Sequence, residues 1–547
     1  MKTFIGAVCF FLFVSTALAL PILNIREFGA AGDGIADDSA ALKQAAERLK
    51  SNGGGTLEFP AGTYRIGTVG GGLILDEQSN VKVVFADGAV LLMDNLLPDG
   101  NGGGHGITVR GPAKNIELHN IKVQWKNKAR TRRNGDGFRF EGYPDSRRTL
   151  KRIRMENCQV LKSAQTGAVF MGCSDVTVRN FTIRESWGDG LHFNACRNVD
   201  VEGVTGIQTG DVTLAFVTYY AEKPEGKIGT VFSLPDLGEW NNSGSVARHV
   251  RSTGGNANGI RISGAQAVKI SDVEVDSKVG CGIIIDAGMI SKINLWQYLA
   301  SRNIEINDVK VKNCNTGLYI MQFDPAFSNP DFYEFDVRCG DFQIENCDND
   351  SVHLSGVSGV ELADFLTTGC RWRFRTVADC RLRNADIREG AFLIIGQDEA
   401  IDPARIEQLH DCNIRVSNLK ITHGNLGIQR CRNLGMHNLE ISGSPGSSVS
   451  VFQTLESGFS ELKLENMNLA ETTPFAVQIL QSRNIHFDKV DVISSKPLTA
   501  AFELGGGDEN LTTDLITIEE LAVQPSGMLP VLSQTGPYGV THWQNLP

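Results

Sequence analysis

Residues 186–212 read S-W-G-D-G-L-H-F-N-A-C-R-N-V-D-V-E-G-V-T-G-I-Q-T-G-D-V and contain the pattern that recurs through the chain. Two short runs, Gly190-Leu191-His192-Phe193 and Asn198-Val199-Asp200-Val201, alternate apolar with polar residues, as half-buried β-strands do. Asp189 stands just before the first run, and Asp211 stands just before the next apolar run. If one solenoid coil brings these strand starts to neighbouring rungs, about 4.8 Å apart, the two carboxylates lie side by side.

Two phrases alternate along the chain. One is a polar turn, then Asn or an equivalent, then alternating apolar positions; the other is a small residue followed by the same alternation. Starts of the second phrase at residues 167, 190 and 212 differ by 23 and 22, which is the period of a single-turn solenoid. Wider gaps, such as 282 to 317, predict inserted loops that gather on one face and build a cleft. Asn-Gly hairpin turns, which a β-sandwich would favour, are scarce. The pattern therefore predicts an all-β parallel β-helix. The first phrase begins at Asn115, Asp175, Asn198, Ala267, Asn303, Asn433 and Asn484.

The N-terminal region predicts a turn-rich run followed by one helix. The run I-R-E-F-G-A-A-G-D-G-I-A-D-D-S at 25–39 leads into a helix that Asp38 or Ser39 can cap, with its apolar face on one side. We interpret Asp33, Asp37 and Asp38 as turn and capping residues rather than metal ligands. The predicted apolar face consists of Ala41, Leu42, Ala45, Ala46 and Leu49.

This opening, with G-G-G-T-L-E-F-P-A-G-T-Y at 53–64, resembles the N-terminal segment of the pectate-lyase-like superfamily. The resemblance implies a single-stranded right-handed parallel β-helix with an N-terminal capping helix. Similar openings occur in polygalacturonase-type hydrolases, C5-epimerases of alginate and phage tailspike depolymerases. We therefore expect one β-helix domain over residues 20–547, with the cap at about 24–66, and a signal peptide over 1–19.

The first 19 residues read as a secretory signal. Lys2 supplies a positive n-region, an apolar core follows, and Ala17-Leu18-Ala19 is an A-x-A cleavage site. We expect cleavage near Ala19 and a secreted or periplasmic protein, and no later stretch is long enough to span a bilayer. One of the 12 cysteines, Cys9, lies in the signal, and the eleven that remain cannot all pair within one chain. We interpret them as buried thiols at coil corners.

The central region, 186–264, resembles the polygalacturonase-type glycoside hydrolases, which carry N-T-D-G, G-D-D, G-H-G and R-I-K along one face. This chain has W-G-D-G at 187–190, T-G-D-V at 209–212 and N-G-I-R-I-S at 258–263. The resemblance implies that Asp189 takes the place of the N-T-D carboxylate, Asp211 that of the general acid and Arg261 that of a substrate-contacting arginine. Val212 replaces the second aspartate, Ser263 replaces the lysine, and no G-H-G is present.

The residues themselves also suit glycoside hydrolysis. An inverting hydrolase needs one carboxylic acid and one carboxylate about 6.5 to 9.5 Å apart, for which we interpret Asp211 as the acid and Asp189 as the base. The alternative is that both aspartates are turn residues, since Asp-Gly turns are common. The predicted sugar-binding residues are Trp187, His192, Asn194, Tyr219 and Arg261, although Tyr219 is equally compatible with a structural aromatic ladder.

Basic residues cluster on a chain of net charge −11, and such clusters can focus an anionic polymer into a groove. Solvated loop charges are the alternative. The hydrolase hypothesis thus has two rivals: a lyase or epimerase acting on uronates, with Ca²⁺ possible, and a glycan-binding solenoid without turnover. For the hydrolase we expect no cofactor or metal, a polysaccharide partner, no nucleic acid, no membrane and a monomer. The clusters are Lys126, Lys128, Arg130, Arg132 and Arg133; Arg147, Arg148, Lys151, Arg152 and Arg154; and Arg371, Arg373, Arg375, Arg381 and Arg383.

Overall fold

The computed structural model describes residues 20–142, 148–219, 242–288, 297–323, 329–399, 401–465, 475–495, 498–505 and 513–524, and the strands Leu529–Ser533 and His542–Trp543. The predicted signal peptide and Arg147 lie outside the described residues. Within them, the ladders between strands are parallel, and successive coils pair in register over the length of the chain. The predicted right-handed parallel β-helix is confirmed.

The strands are short near the N-terminus and longer in the centre. In chain order they are β1 Ile22–Asn24, β2 Asp33–Asp37, β3 Gly55–Phe59, β4 Gly62–Ile66, β5 Leu73–Asp76, β6 Val81–Phe85, β7 Ala89–Met93, β8 Ile107–Arg110, β9 Ala113–His119, β10 Lys122–Trp125, β11 Phe138–Glu141, β12 Leu150–Glu156, β13 Gln159–Leu161, β14 Ala168–Met171, β15 Cys173–Arg184, β16 Leu191–Asn194, β17 Arg197–Thr209, β18 Leu214–Val217, β19 Ser243–Gly255 and β20 Ile260–Ser263. They continue as β21 Gln266–Asp276, β22 Cys281–Ala287, β23 Arg302–Lys312, β24 Thr316–Gln322, β25 Glu334–Glu345, β26 Asp350–Thr368, β27 Arg371–Arg388, β28 Phe392–Ile395, β29 Ile414–Thr422, β30 Leu426–Gln429, β31 Leu434–Ser442, β32 Val449–Phe452, β33 Leu455–Glu465, β34 Phe475–Leu480, β35 Arg483–Ile493, β36 Ala500–Leu504, β37 Asp514–Gln524, β38 Leu529–Ser533 and β39 His542–Trp543.

Each central coil contributes to three parallel faces. A long strand such as β17 forms sheet A with its first half and sheet B with its second half, and a residue with positive φ, here Gly203 at 78°, turns the chain between them. The short strands that follow the next turn stack as sheet C. Sheet C contains β5, β8, β11, β14, β16, β18, β20, β22 and β24, the first residues of β26 and β27, and then β28, β30, β32, β34, β36 and β38.

The recurrent asparagines occupy coil corners that need left-handed backbone. Asn198 has a φ of 52° and Asp175 a φ of 57°, a region that Asn and Asp tolerate better than most residues. Their side chains also stack from coil to coil, since Asn198 Nδ2 donates to Asp175 Oδ1 at 3.1 Å. A second ladder at the corner between sheets A and B links Asn384, Asn418 and Asn438 at 2.8 and 2.9 Å. The repeated polar phrase is therefore a conformational requirement of the solenoid.

The core is a continuous column of apolar side chains inside the coils. Facing residues of sheet C stack in register, as in Phe170–Phe193 and Phe193–Phe216, with ring centroids 5.0 and 5.2 Å apart. Such stacks bury large apolar area and fix the vertical alignment of the coils. The eleven described cysteines are free and buried, which confirms their interpretation as buried thiols.

The predicted N-terminal helix is present as α1, Ser39–Ser51, and its predicted apolar residues are buried against the first coils. Asp38 occupies the predicted N-cap position of α1, but its side chain accepts hydrogen bonds from Ala31 and Gly32 in the preceding turn rather than from the helix. Asp37 instead accepts from the amide of Ser39 at 3.1 Å. That this helix caps the solenoid remains a prediction. Short helices also lie at Ile25–Phe28, Pro330–Tyr333 and Pro403–Gln408.

Insertions between coils leave from the C-terminal end of sheet C. They follow β18, β22 and β24, and their residues 220–241, 289–296 and 324–328 lie outside the described residues. Another segment, 126–137, enters sheet C from the opposite end. In the described part of the chain, no helix is long and apolar enough to cross a membrane.

Candidate active site

The two predicted carboxylates lie at the N-terminal edge of sheet C, on neighbouring coils. Asp189 precedes β16 and Asp211 precedes β18, and these strands pair with Leu191 opposite Leu214. Two hydrogen bonds connect the turns: Asp211 N donates to Gly188 O at 3.2 Å, and Val212 N donates to Asp189 Oδ1 at 3.1 Å. The two aspartates therefore lie on neighbouring coils, as expected.

Asp189 is buried and held in its ionised form. Nδ1 of His192 lies 2.6 Å from Asp189 Oδ2, and the Val212 amide binds the other oxygen. Burial raises the pKa of Asp189, but the hydrogen bond and charge of His192, the charge of Arg132 and the amide together bring that pKa below its ordinary value. Asp189 is thus a carboxylate suited to accepting a proton.

The pKa of Asp211 is displaced in the opposite direction from that of Asp189. Burial and the negative charge of Asp189 raise its pKa, and the opposing hydrogen bond and charge of Arg132 do not cancel them. Its side chain is 28% exposed, against 9% for Asp189. Two neighbouring carboxyl groups whose environments separate their pKa values can divide acid and base roles between them.

Arg132 joins the pair from the segment between β10 and β11. Its guanidinium donates to Asp211 Oδ2, and the charges of Asp189 and Asp211 raise the pKa of Arg132 although burial lowers it. Trp187 anchors the same segment, because its indole N–H donates to Ala129 O at 2.7 Å. Lys128 lies over the Trp187 ring, 5.5 Å from its centroid. A lysine therefore covers one face of the Trp187 ring, which was predicted to bind sugar.

Lys278 supports the turn that carries Asp211. It is 2% exposed, and its Nζ donates to Thr209 Oγ1 at 2.8 Å and to Asp211 O at 3.3 Å. Burial lowers the pKa of Lys278 to about 8, although the neighbouring Asp211 opposes that change. No pattern in the sequence singles out this lysine.

Arg261 lies two coils from His192 on the outer face of sheet C. Its Nε and Nη2 bind the buried Asp286 at 3.0 and 2.6 Å, and its guanidinium carbon lies 4.9 Å from the ring centroid of Tyr298. Burial lowers the pKa of Arg261, but Asp286 raises it well above the ordinary value. Ser263, which stands where the family has lysine, donates to Asp286 as well.

Tyr219 and Tyr298 form the wall beside Arg261, with ring centroids 5.5 Å apart. Burial raises the pKa of Tyr219 to about 12, and the charges of Arg261, Asp189, Arg132 and Asp211 all act on its hydroxyl. Tyr219 also packs against the apolar cluster of Val212, Ala215 and Val217. Tyr220, the next residue in the sequence and a second candidate for this wall, lies outside the described residues.

The remaining predicted binding residues are on β16. His192 and Asn194 share the outward side of the strand, and Asn194 is 6% exposed. Asn194 Oδ1 has no hydrogen-bond partner among the described residues. The structure thus gathers Asp189, Asp211, His192, Arg261 and Tyr219 around one region, with Trp187 at its edge.

Sequence reasoning did not identify Asp286, Tyr298 or Lys278, and it named Arg132 only as one member of a basic cluster. For Asp286 a signal exists, because it falls on the outward side of the G-I-I-I-D run at 282–286. Lys278 and Tyr298 follow from tertiary contacts alone.

Asp136 repeats part of this arrangement in a structural role. It is fully buried, binds His105 Nδ1 and Arg139, and accepts the amide of Thr166 at 3.0 Å, as Asp189 accepts that of Val212. Burial raises the pKa of Asp136, but His105 and Arg139 lower it overall. Both aspartates therefore accept a hydrogen bond from a backbone amide of the next coil. What distinguishes Asp189 is the second carboxylate beside it.

The match to a protein family lies in the N-terminal coils. Residues 22–69 match the family described as rhamnogalacturonase A/epimerase, pectate lyase-like, which confirms the resemblance of that segment. The chain is 43% identical over 65 residues to mannuronan C5-epimerase AlgE1 of Azotobacter vinelandii, covering 12% of this chain and 5% of that protein. It is 40% identical over 81 residues to alginate lyase 7 of the same organism, covering 15% and 8%. The chain spans less than a tenth of either relative.

Two solved structures that match this chain share little sequence identity with it. The A-module of the Azotobacter vinelandii epimerase AlgE6 matches with a TM-score of 0.38 at 14% identity, over 96% of this chain and 99% of that one. An exopolygalacturonase from Thermotoga maritima matches with a TM-score of 0.35 at 13% identity, over 87% and 93%. Likenesses at this level carry no argument about activity.

The described residues include no group of three or more histidine, cysteine or carboxylate side chains that could hold a metal ion. The expectation of a hydrolase without cofactor remains a prediction.

Proposed function

We propose that this chain is a secreted, monomeric enzyme that hydrolyses glycosidic bonds of an acidic polysaccharide with inversion, using Asp211 as general acid and Asp189 as general base. The observation that carries the proposal is the placement of Asp189 and Asp211 on neighbouring coils at one edge of sheet C, with His192 bound to the first and Arg132 to the second. The opposite displacement of their pKa values supports it. Inverting hydrolysis needs one protonated and one ionised carboxyl group on either side of the scissile bond.

Each carboxyl group has one proton to move. Asp211 gives its proton to the glycosidic oxygen as the bond to the anomeric carbon breaks. Asp189 takes a proton from the water that attacks that carbon from the opposite face, and His192 keeps Asp189 oriented and ionised until then. A sugar that enters between them displaces Arg132 from Asp211, and the loss of that positive charge raises the pKa of Asp211 further.

The surrounding side chains suit an acidic sugar. Arg261 uses Nε and Nη2 for Asp286 and keeps further N–H donors for a uronate carboxylate. Tyr219 offers a ring edge and a hydroxyl that stays protonated, and His192 and Asn194 offer polar groups to sugar hydroxyls.

A second candidate is a lyase or epimerase that removes the proton next to a uronate carboxylate. It is supported by the short matches to epimerases and to an alginate lyase, and by a lysine whose pKa is about 8 beneath Asp211. Lys278 is buried and donates to the backbone turn, however, which favours a supporting role over that of a base.

Product analysis tests the proposal. The purified protein is incubated with polygalacturonate and with alginate, and reducing ends, ultraviolet absorbance and the anomeric proton spectrum are followed. Hydrolysis gives new reducing ends of inverted configuration without unsaturated uronate, and Asp211→Asn abolishes them. A rise in absorbance, or a change in uronate composition without cleavage, supports the second candidate. Binding without any product overturns both and supports a glycan-binding solenoid.

A further inference from the structure

The outer face of sheet C carries a second aspartate–histidine pair with the three-residue spacing of Asp189 and His192. Asp350 and His353 occupy the same positions on β26 as Asp189 and His192 at β16, because Val352 and Leu191 stand in one ladder of the sheet. Nδ1 of His353 lies 3.3 Å from Asp350 Oδ2, and both side chains are largely buried. The D-x-x-H spacing is also visible in the sequence, at D-G-L-H and D-S-V-H.

An aromatic and cationic group surrounds this second pair. The Tyr319 ring stacks on His353 with centroids 4.5 Å apart and planes 14° apart. Arg371 Nε binds Asp350 at 2.7 Å and Arg373 approaches it at 3.4 Å, whereas Arg375 Nε binds Asp398 at 2.6 Å. Three guanidinium groups thus face two carboxylates, which leaves an excess of positive charge.

His353 is uncharged at neutral pH and has an unpaired ring nitrogen. Burial and the three arginines lower the pKa of His353 to about 4, although Asp350 opposes them. Of the two ring nitrogens, Nδ1 faces Asp350, whereas Nε2 is buried and has no partner among the described residues. An unpaired buried polar nitrogen is costly, and a hydroxyl group, which can both donate and accept a hydrogen bond, removes the cost.

We propose that Tyr319, His353 and Arg373 form a second sugar-binding subsite, which takes an acidic unit of the same polysaccharide chain that is cut between Asp189 and Asp211. This inference rests on the proposed function. A sugar hydroxyl forms a hydrogen bond with His353 Nε2, the Tyr319 ring supplies an apolar face, and the sugar carboxylate pairs with the remaining N–H groups of Arg373 and Arg375.

The subsite defines the path of the chain. The outward row of sheet C runs His192, Ala215, Arg261, Ile284, Tyr319, His353, Arg373. Five strand spacings separate His192 from His353, which is about 24 Å. A polymer that reaches both must lie along the solenoid and cross Arg261, so the preferred substrate is a long anionic oligosaccharide.

Binding measurements test the subsite without turnover. In the Asp211→Asn protein, calorimetry compares oligogalacturonates and oligomannuronates of two and eight units with a neutral glucose octamer. We expect a uronate octamer to bind more tightly than the dimer and the neutral octamer. Arg373→Met should raise its Kd about tenfold or more, since charge-assisted hydrogen bonds are lost. Tyr319→Leu, which leaves the ion pairs of Asp350 in place, should weaken binding as well.

Arg388→Met is the matched control, because Arg388 is exposed, belongs to none of the basic clusters and lies on the same strand β27 but in sheet B. Its Kd should equal that of the parent. The subsite is overturned if Arg373→Met and Tyr319→Leu bind the octamer as the parent does, if the neutral octamer binds equally well, or if neither uronate binds. Failure of the hydrolase proposal looks different, because binding is then retained while the wild-type protein releases no new reducing ends.

Discussion

Nδ1 of His192 lies 2.6 Å from Oδ2 of Asp189, at the point where β16 begins. This contact, with the amide of Val212 and the charge of Arg132, keeps the buried Asp189 ionised. One coil further, Asp211 has lost part of its hydration, faces the charge of Asp189 and has a raised pKa. The proposed division of acid and base roles between two chemically identical side chains therefore follows from which partners each coil provides.

Replacement of the proposed acid should abolish catalysis without unfolding the protein. We expect Asp211→Asn to lower kcat on the active polysaccharide by about 10²- to 10⁴-fold, because an amide cannot donate the required proton. Reducing-end release measures the effect. Asp200→Asn, on the exposed outer side of sheet A, is the control and should retain activity. Equal activity in both variants would remove Asp211 from the mechanism.

The same substitution carries a stability prediction. A folded-state pKa above the unfolded value means that the contribution of Asp211 to stability is present below the unfolded pKa and lost as pH rises through the folded one. At neutral pH its ionised form therefore destabilises the fold. Asp211→Asn should melt at the same or a higher temperature at neutral pH, and a clear decrease in Tm would show that the Arg132 pair outweighs the repulsion.

Arg132→Ala should shift the pH profile of kcat/KM to higher pH. Arg132 lowers the pKa of both Asp189 and Asp211, so its removal raises both. The acid limb, which requires ionised Asp189, and the alkaline limb, which requires protonated Asp211, then shift to higher pH together. The pH dependence of kcat/KM measures this, with Arg133→Ala as the neighbouring control. An unshifted profile would mean that Arg132 does not act on the groups that titrate.

Lys278 should make stability depend on pH. Its folded pKa of about 8 lies below the ordinary 10.5, so between these values the unfolded chain binds more protons and stability rises with pH. The difference between 10.5 and about 8 corresponds to about 3 kcal/mol. Denaturant unfolding across this range should show a rise in the wild type that Lys278→Met lacks. Lys310→Met, an exposed control, should follow the wild type, and parallel curves for all three would refute the assignment.

Arg261→Lys should weaken substrate binding more than it slows chemistry. Lysine cannot reproduce the two-point contact with Asp286, so the cation loses the position in which it faces the groove. We expect KM to rise about tenfold or more with a smaller change in kcat. Arg248→Lys on sheet A serves as control. A fall in kcat with KM unchanged would indicate that Arg261 acts in the transition state instead.

Substitutions at a corner asparagine should separate the stability lost to backbone strain from the stability lost with the side-chain hydrogen bonds. Asn418 has a φ of 56° and both donates to and accepts from its ladder neighbours. Asn418→Ala loses these bonds and adds left-handed strain of about 1 to 2 kcal/mol, whereas Asn418→Gly loses only the bonds. Denaturant unfolding should therefore rank wild type above Gly and Gly above Ala, and a less stable Gly variant would contradict the strain argument.

The sequence predicted the solenoid because its period is local. A 23-residue repeat such as 259 to 282 places like residues in register without knowledge of any distant contact. It also predicted that Asp189 and Asp211 would be neighbours, because strand spacing alone brings successive coils together. Asp38 was predicted less well, since its partners Ala31 and Gly32 depend on how the turn before the helix folds.

The sequence by itself determined the repeating strands, the buried cysteines, the corner asparagines and the adjacency of two acids, all of which depend on residues one coil apart. Only the tertiary structure decided in which direction the pKa of each acid is displaced. Arg132 and Lys278 reach Asp211 from 79 and 67 residues away, and Asp286 holds Arg261 from the next coil. Burial and charge act through space, so the direction of each pKa change depends on which segments the folded coils bring together.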